Sequence, residues 1–452
     1  MKSRVKASCH FKSAPCHFKK TGWLCAILIF IGPVFLGGLT FLSGCAGKEE
    51  VQPVEITLVH GWGGTAQTHK VVREIYQEFS AQRADVILNE QASSDSTIAV
   101  EKANDMLAVD RMPDVVSTNG LSYFVQNAVT KGMALDLMPY IEADEELRAS
   151  IHPSVLESWT TEDGKLYTLP DALEVMGFWY NESYFREAGI TDADGKVKLP
   201  DTWEEFFEDC DKLDAWCETQ NSSRSVFALE NIQVVEDFLL ARLAGASEEG
   251  FAMASAMPSD FDTPSFQRAL QDVARLYSYS HDVDNIDNAR QAFLDGRSVI
   301  YFNGVWECDV FCGTDIEGEI GYAAYPTESG ASLSYISPSS GYVLYDNPDP
   351  KRKEASIGFL KYMLSTEVQN RLATDTGQAP SNPNVDNIMI REKYPLLGNA
   401  LEVAHGADLQ IKSISSVWDA VTLDILKSQL RQACRSEEGR LGLINRLNAK
   451  HT

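Results

Sequence analysis

Apolar positions along this chain follow two periods in turn. Residues 54–59 form a β-rich apolar run, and from about 67 to 81 the apolar residues Val71, Ile75 and Phe79 recur every four positions, as on one buried helix face. The unit returns twice: 86–88 predicts a strand and 96–109 a helix, then 114–117 a strand and about 122–130 a helix closed by Gly132. Repeated βαβ units predict a parallel sheet.

A second region begins near Leu169-Pro170. It reads as a strand over 175–180, a short helix over 182–188 ended by Gly189, and a helix started by Thr202 after Pro200. Thr263-Pro264 starts another helix, and one from near Asp287 runs to Gly296 before the strand 298–302. Residues 318–341, rich in Gly, Ser, Pro and Tyr, read as strands and turns. From Pro350 the pattern is helical almost to the end, over 355–364, 366–373, 415–433 and 437–447. The fold class expected is α/β, with two lobes joined by several chain crossings.

The first 44 residues belong to neither lobe. They carry six Lys or Arg, no acid and an apolar run over 23–42, which is an export signal. Leu42-Ser43-Gly44-Cys45 resembles the lipobox of bacterial lipoproteins, so residues 1–44 are expected to be cleaved and Cys45 to carry lipid, with 45–53 as a tether. That places the protein outside the cytoplasm, anchored without a spanning helix. An uncleaved membrane helix is the alternative.

Beyond residue 44, 33 Lys and Arg stand against 65 Asp and Glu, a net charge of −32. Such a surface repels phosphate backbones, so nucleic acid is not an expected partner. The cysteines past the anchor are Cys210, Cys217, Cys308, Cys312 and Cys434, an odd number. A Cys308–Cys312 disulfide is open, buried free thiols are the expectation, and no His is interleaved at metal-binding spacing. No metal or other cofactor is expected.

His60-Gly61-Trp62-Gly63-Gly64, directly after the first strand, is similar to the oxyanion strand of α/β-hydrolases. That fold also needs a Gly-x-Ser-x-Gly elbow, which the chain lacks; residues 337–341 come nearest, with Ser337 where the first glycine belongs. A triad histidine would have to be His405 or His451. A lipoprotein hydrolase therefore stands only as the alternative from another class.

Several segments together resemble extracellular solute-binding proteins of family 1, the sugar-binding components of ABC importers, which include the maltose-binding proteins. They are 56–62, Met112-Pro113-Asp114-Val115-Val116, 169–181, Leu199-Pro200-Asp201-Thr202-Trp203-Glu204-Glu205, 292–297, Asn303-Gly304-Val305-Trp306, and 367–383. The resemblance implies a periplasmic-binding-protein-like fold, each lobe a sheet flanked by helices, joined by hinge strands. Lobe one would be 54–167 plus 326–345 and lobe two 168–325 plus 346–452, with the hinge near Leu169, Tyr325 and Asp346. It also implies a monomer that binds a carbohydrate, serves an importer permease and catalyses nothing. A non-sugar solute such as a polyol phosphate is the alternative within the class.

Sugars offer hydroxyls at their edges and C–H patches on their faces, so a site needs aromatic rings beside hydrogen-bonding groups. By the resemblance, Trp306 and Trp418 match family aromatics, and Glu174 an acid that holds hydroxyls. Trp62 tops the first strand, where Gly63 and Gly64 would let backbone approach ligand. Gln67, Asn119, Tyr123, Gln233, Glu236, Ser340, Gly341 and Tyr342 complete the candidates. Gly120-Leu121-Ser122 lacks the charged pair of maltose-binding relatives, and Val305 replaces the usual proline before Trp306, which leaves the sugar's identity open.

Overall fold

The computed structural model describes residues 52–220, 223–283 and 285–450. The expected signal at 1–44 and Cys45 lie outside the described residues. Twelve strands are described: β1 (Val54–His60), β2 (Val86–Ala92), β3 (Val115–Ser117), β4 (Ala172–Asn181), β5 (Ser225–Leu229), β6 (Ser280–Asp282), β7 (Ser298–Gly304), β8 (Ile320–Ala323), β9 (Leu333–Pro338), β10 (Tyr342–Leu344), β11 (Ala379–Pro380) and β12 (Leu409–Ile411).

The first sheet has the order β10-β3-β1-β2. Strands β2, β1 and β3 are parallel, as the repeated βαβ pattern predicts, and β10 closes the edge antiparallel with Val343 opposite Val116. Helix Gln67–Gln82 buries Val71, Ile75 and Phe79, the face its period predicts, together with Val72 and Tyr76. Helices Ser96–Ala108 and Tyr123–Thr130 cover the opposite face of the sheet around Ala99, Val100, Leu107 and Phe124. Asp114 ties the layers together. Its buried carboxylate accepts from the Thr57 amide at 2.9 Å and from Asn347 Nδ2 at 2.7 Å, and it pairs with Arg352.

The second sheet runs β12-β9-β4-β7-β5-β6, with β8 and β11 also pairing β4. Strand β4 is its spine and is buried on both faces, because successive side chains of a strand point to opposite sides. Phe178 faces a core with Trp203, Phe206, Phe238 and Phe302. Trp179 faces the other way, its ring centroid 5.1 Å from that of Phe311 and 4.8 Å from that of Tyr322. On the Trp179 side the apolar cluster runs on without a break to Ile56 of the first sheet and Ile75 of the helix packed on it.

Three sequence expectations need correction. Residues 326–345 do not all join the first sheet, since β9 pairs β4 with Val175 opposite Ile336 and only β10 reaches β3. The chain therefore crosses between Pro338 and Tyr342, not at Tyr325, which is buried in the second sheet's core. Nor does everything after Asp346 belong with the second sheet: Phe359 of helix Pro350–Leu364 packs on Tyr76 and Phe79, at ring distances of 5.5 and 5.3 Å. Helix Thr366–Thr376 likewise packs on Gln67–Gln82. Finally, the predicted helix over 415–433 is broken. Helix Ile414–Val417 ends at Trp418, and Asp419 then caps Ala420–Ala433 by accepting from the Val421 and Thr422 amides.

The five described cysteines are free; Cys312 is exposed and the other four are buried. Among the described residues, no helix is long and apolar enough to cross a membrane.

Candidate functional site

Two cavities meet where β4 begins and β7 ends, beside the first sheet. The first, about 290 Å³, is lined by Trp62 and Asn119 from the first sheet's loops, by Asp171 and Glu174, and by Trp306 and Gln378. The second, about 230 Å³, is walled by Gln233, Glu236, Asp237, Asn303 and Ser413, and shares Glu174 and Trp306 with the first. The shared pair makes them one cleft.

Trp306 stands in the short turn Val305–Glu307 that follows β7. Its ring lies flat against Gly304, where a Cβ would come within 2.2 Å of the indole. At 41% exposure it presents a large aromatic face to the cleft. The next residue, Glu307, is fully buried and holds the turn. It accepts from Arg290 Nε at 2.6 Å and Nη2 at 2.8 Å, and from Asn303 Nδ2 at 2.7 Å. Charge-assisted bidentate pairing of this kind fixes geometry as well as adding energy.

Glu174 is partly buried in β4 and accepts a hydrogen bond from the Ser413 hydroxyl. Desolvation first, and then the nearby Glu236 charge, push its pKa up to about 7. Burial likewise raises Asp171, although the Tyr342 hydroxyl donates to it at 2.7 Å. Asp237 lies in a π-helical turn, Val234–Leu239, an irregularity that re-aims side chains at many functional sites. It is 4% exposed, its Oδ1 has no hydrogen-bond partner, and burial holds its carboxyl well above the usual range. Gln378 Oε1 and Trp62 Nε1, at the first cavity, are also buried without partners. Buried polar atoms are nearly always hydrogen-bonded, so these three leave unused hydrogen-bonding capacity at the cleft.

The expected site residues divide. Trp62, Asn119, Glu174, Gln233, Glu236 and Trp306 line the cleft. Gln233 is nonetheless committed to structure, donating to the Phe302 carbonyl at 2.6 Å and completing a capping box with Glu230. Gln67 and Tyr123 are exposed first residues of helices and reach neither cavity. Tyr342 is fully buried behind Asp171, bonded also to the Tyr76 hydroxyl at 3.0 Å. Ser340 is buried and bonded to Thr118 at 2.9 Å.

Gly341 is needed by the crossing, because a Cβ there would lie 2.2 Å from the Leu169 carbonyl. Trp418 is 3% exposed, its indole donating to the Met253 carbonyl at 3.0 Å between Phe261 and Phe266; it is core. The glycines after Trp62 also serve packing, since Cβ atoms on Gly63 and Gly64 would meet the Ser93 carbonyl oxygen and the His69 ring at 2.5 and 2.7 Å. Sequence reasoning missed Asp171, Asp237, Gln378 and Ser413. The one available signal was an acid, Asp237, set in the apolar run 234–244.

The pattern of the bacterial extracellular solute-binding protein family matches residues 74–397. The chain belongs to that family. An uncharacterised extracellular-binding protein of an ABC transporter from Pyrococcus horikoshii is 22% identical to this solute-binding chain over 435 residues, 91% of this chain and 95% of the relative. A multiple sugar-binding protein of Streptococcus mutans is 24% identical over 223 residues, 46% of this chain; the chain spans about half, 49%, of that relative's length. A Streptococcus pneumoniae solute-binding protein, solved with the blood group A-trisaccharide, superposes with a TM-score of 0.70 at 20% identity, over 87% of this chain and 100% of the other. At that identity the likeness establishes the two-lobed fold.

The raised Glu174 carboxyl makes the solute-binding fold pH-sensitive. Between about pH 4.5 and 7 the folded state keeps a proton that the unfolded chain has released, so stability falls as pH rises through that window. Glu174→Gln removes this titration. Its melting temperature, compared with the parent's, is expected to rise by roughly 2–4 °C between pH 5 and pH 8. Thermal melts at both pH values check this, and an offset that does not move with pH contradicts it.

Proposed function

We propose that this protein is the extracytoplasmic binding component of an ABC importer, taking a carbohydrate into the cleft and handing it to the importer's membrane subunits. The observation that carries the reading is the half-exposed Trp306 ring set between carboxylates at the junction of the two cavities. An indole face suits the C–H surface of a sugar ring, and carboxylates accept strong hydrogen bonds from hydroxyls. The sugar-binding and trisaccharide-bound relatives support the same class. Acidic walls disfavour a polyol phosphate.

Ligand closes the lobes only insofar as it is held better in the closed form than in the open one. Trp62 and Asn119 on one wall, with Trp306 and Asp237 on the other, supply contacts from both sides. The protein acts as a monomer and without catalysis. A thermal-shift screen of the mature domain against mono- and oligosaccharides tests the reading. Stabilisation by at least one saccharide is expected, and no response across a broad panel contradicts it.

The lipid anchor is part of the proposal. Mass spectrometry of the membrane-extracted protein is expected to find an acylated Cys45 as the first residue. An unmodified chain that still carries residues 1–44 overturns the anchor and points to a spanning helix.

A further inference from the structure

We propose that the saccharide this cleft takes carries a protonated amine, seated between Asp237 and Glu174 beside the Trp306 ring. This deepens the carbohydrate reading above and rests on it. Asp237 is 4% exposed at the wall of the second cavity, with Oδ1 unpartnered. A buried carboxylate oxygen in that state is costly until a donor reaches it. A sugar hydroxyl satisfies the oxygen, whereas an ammonium also compensates the charge that the carboxyl takes on when its proton leaves.

The surrounding charge points the same way. Glu174, Glu236 and Asp237 share the second cavity and Asp171 joins Glu174 at the first, while no Lys, Arg or His lines either among the described residues. Lys427 pairs with Glu236 at 2.6 Å from outside the cavity, so Glu174 and Asp237 carry the acidic excess. The Trp306 face, open to both cavities, attracts a cation through its ring quadrupole. A metal ion fits less well: among the described residues, no three His, Cys, Asp or Glu are grouped to hold one. Burial first, and the Glu236 charge with it, raises both the Glu174 and the Asp237 carboxyls, and a cation placed between them opposes that shift.

The test is titration calorimetry of the full mature chain at pH 6.5. The ligands are glucosamine oligomers of two to four units, their N-acetylated counterparts and neutral gluco-oligosaccharides, each in two buffers of different ionisation enthalpy. The amine-bearing oligomers are expected to bind at least roughly 10-fold more tightly than the N-acetylated ones, with a heat that changes between the two buffers because protons are exchanged. Asp237→Asn should bring that ratio close to one; should this variant fold poorly, Glu174→Gln is expected to cut the ratio severalfold. Binding of neutral or N-acetylated oligomers as tight as that of the amines, or a ratio unchanged in a folded variant, overturns the inference and leaves the carbohydrate reading standing. Failure of every saccharide to bind removes both.

Discussion

Trp306→Ala is expected to weaken carbohydrate binding by roughly 10- to 100-fold, about 1–3 kcal/mol, the usual cost of removing an aromatic anchor from a binding surface. The ring is 41% exposed and touches both cavities, so it serves the cleft more than the core. Its truncation should leave the melting temperature of the free protein within a few degrees. Calorimetric titration of parent and variant with the same saccharide makes the comparison. Equal affinities would take Trp306 out of the site, and with it the stacking half of the argument.

Glu307→Ala is expected to cost roughly 1–3 kcal/mol of stability, the range for leaving buried polar groups short of a hydrogen-bond partner. Glu307 is fully buried, and its loss leaves the Arg290 guanidinium with Asp287 alone and the Asn303 amide with the Tyr301 hydroxyl alone. The same carboxylate raises the Arg290 pKa, a sign of how strongly the pair is coupled. Because Glu307 fixes the turn that carries Trp306, binding should weaken as well wherever the variant is still folded. Urea unfolding measures the first effect. A midpoint shift equivalent to less than about 0.5 kcal/mol, the level of an ordinary surface change, would show that the network does not hold the turn.

Much of this was legible in the sequence wherever the information is local. The four-residue period of Val71, Ile75 and Phe79 fixed a helix face that is buried as read. Trp306 and Glu174 could be picked out because each matches a residue of the family resemblance and stands beside a strand end or crossing. What was not legible depends on partners distant in the chain. Trp418 was a candidate through its match to a family aromatic, yet its indole is claimed by Met253, Phe261 and Phe266, more than 150 positions earlier. The run at β9 offers no local clue that it pairs β4 and not the first sheet.

Asp237 was hidden for a related reason. It sits within an apolar helical stretch, and only the π-helical turn and the cavity beside it distinguish it from a solvated acid. The glycines after Trp62 show the opposite error. A motif that suggested close approach of ligand is explained by close approach of the Ser93 backbone to Gly63 and of the His69 ring to Gly64.

A crystal structure of the mature domain with its best saccharide from the screen bears most directly on the whole account. It is expected to show a pyranose ring packed on the Trp306 indole, with polar groups within hydrogen-bonding distance of Glu174 and Asp237 and the Trp62 wall drawn against its far side. A saccharide bound elsewhere on the molecule, or held in the cleft with the Trp306 face empty, would contradict it.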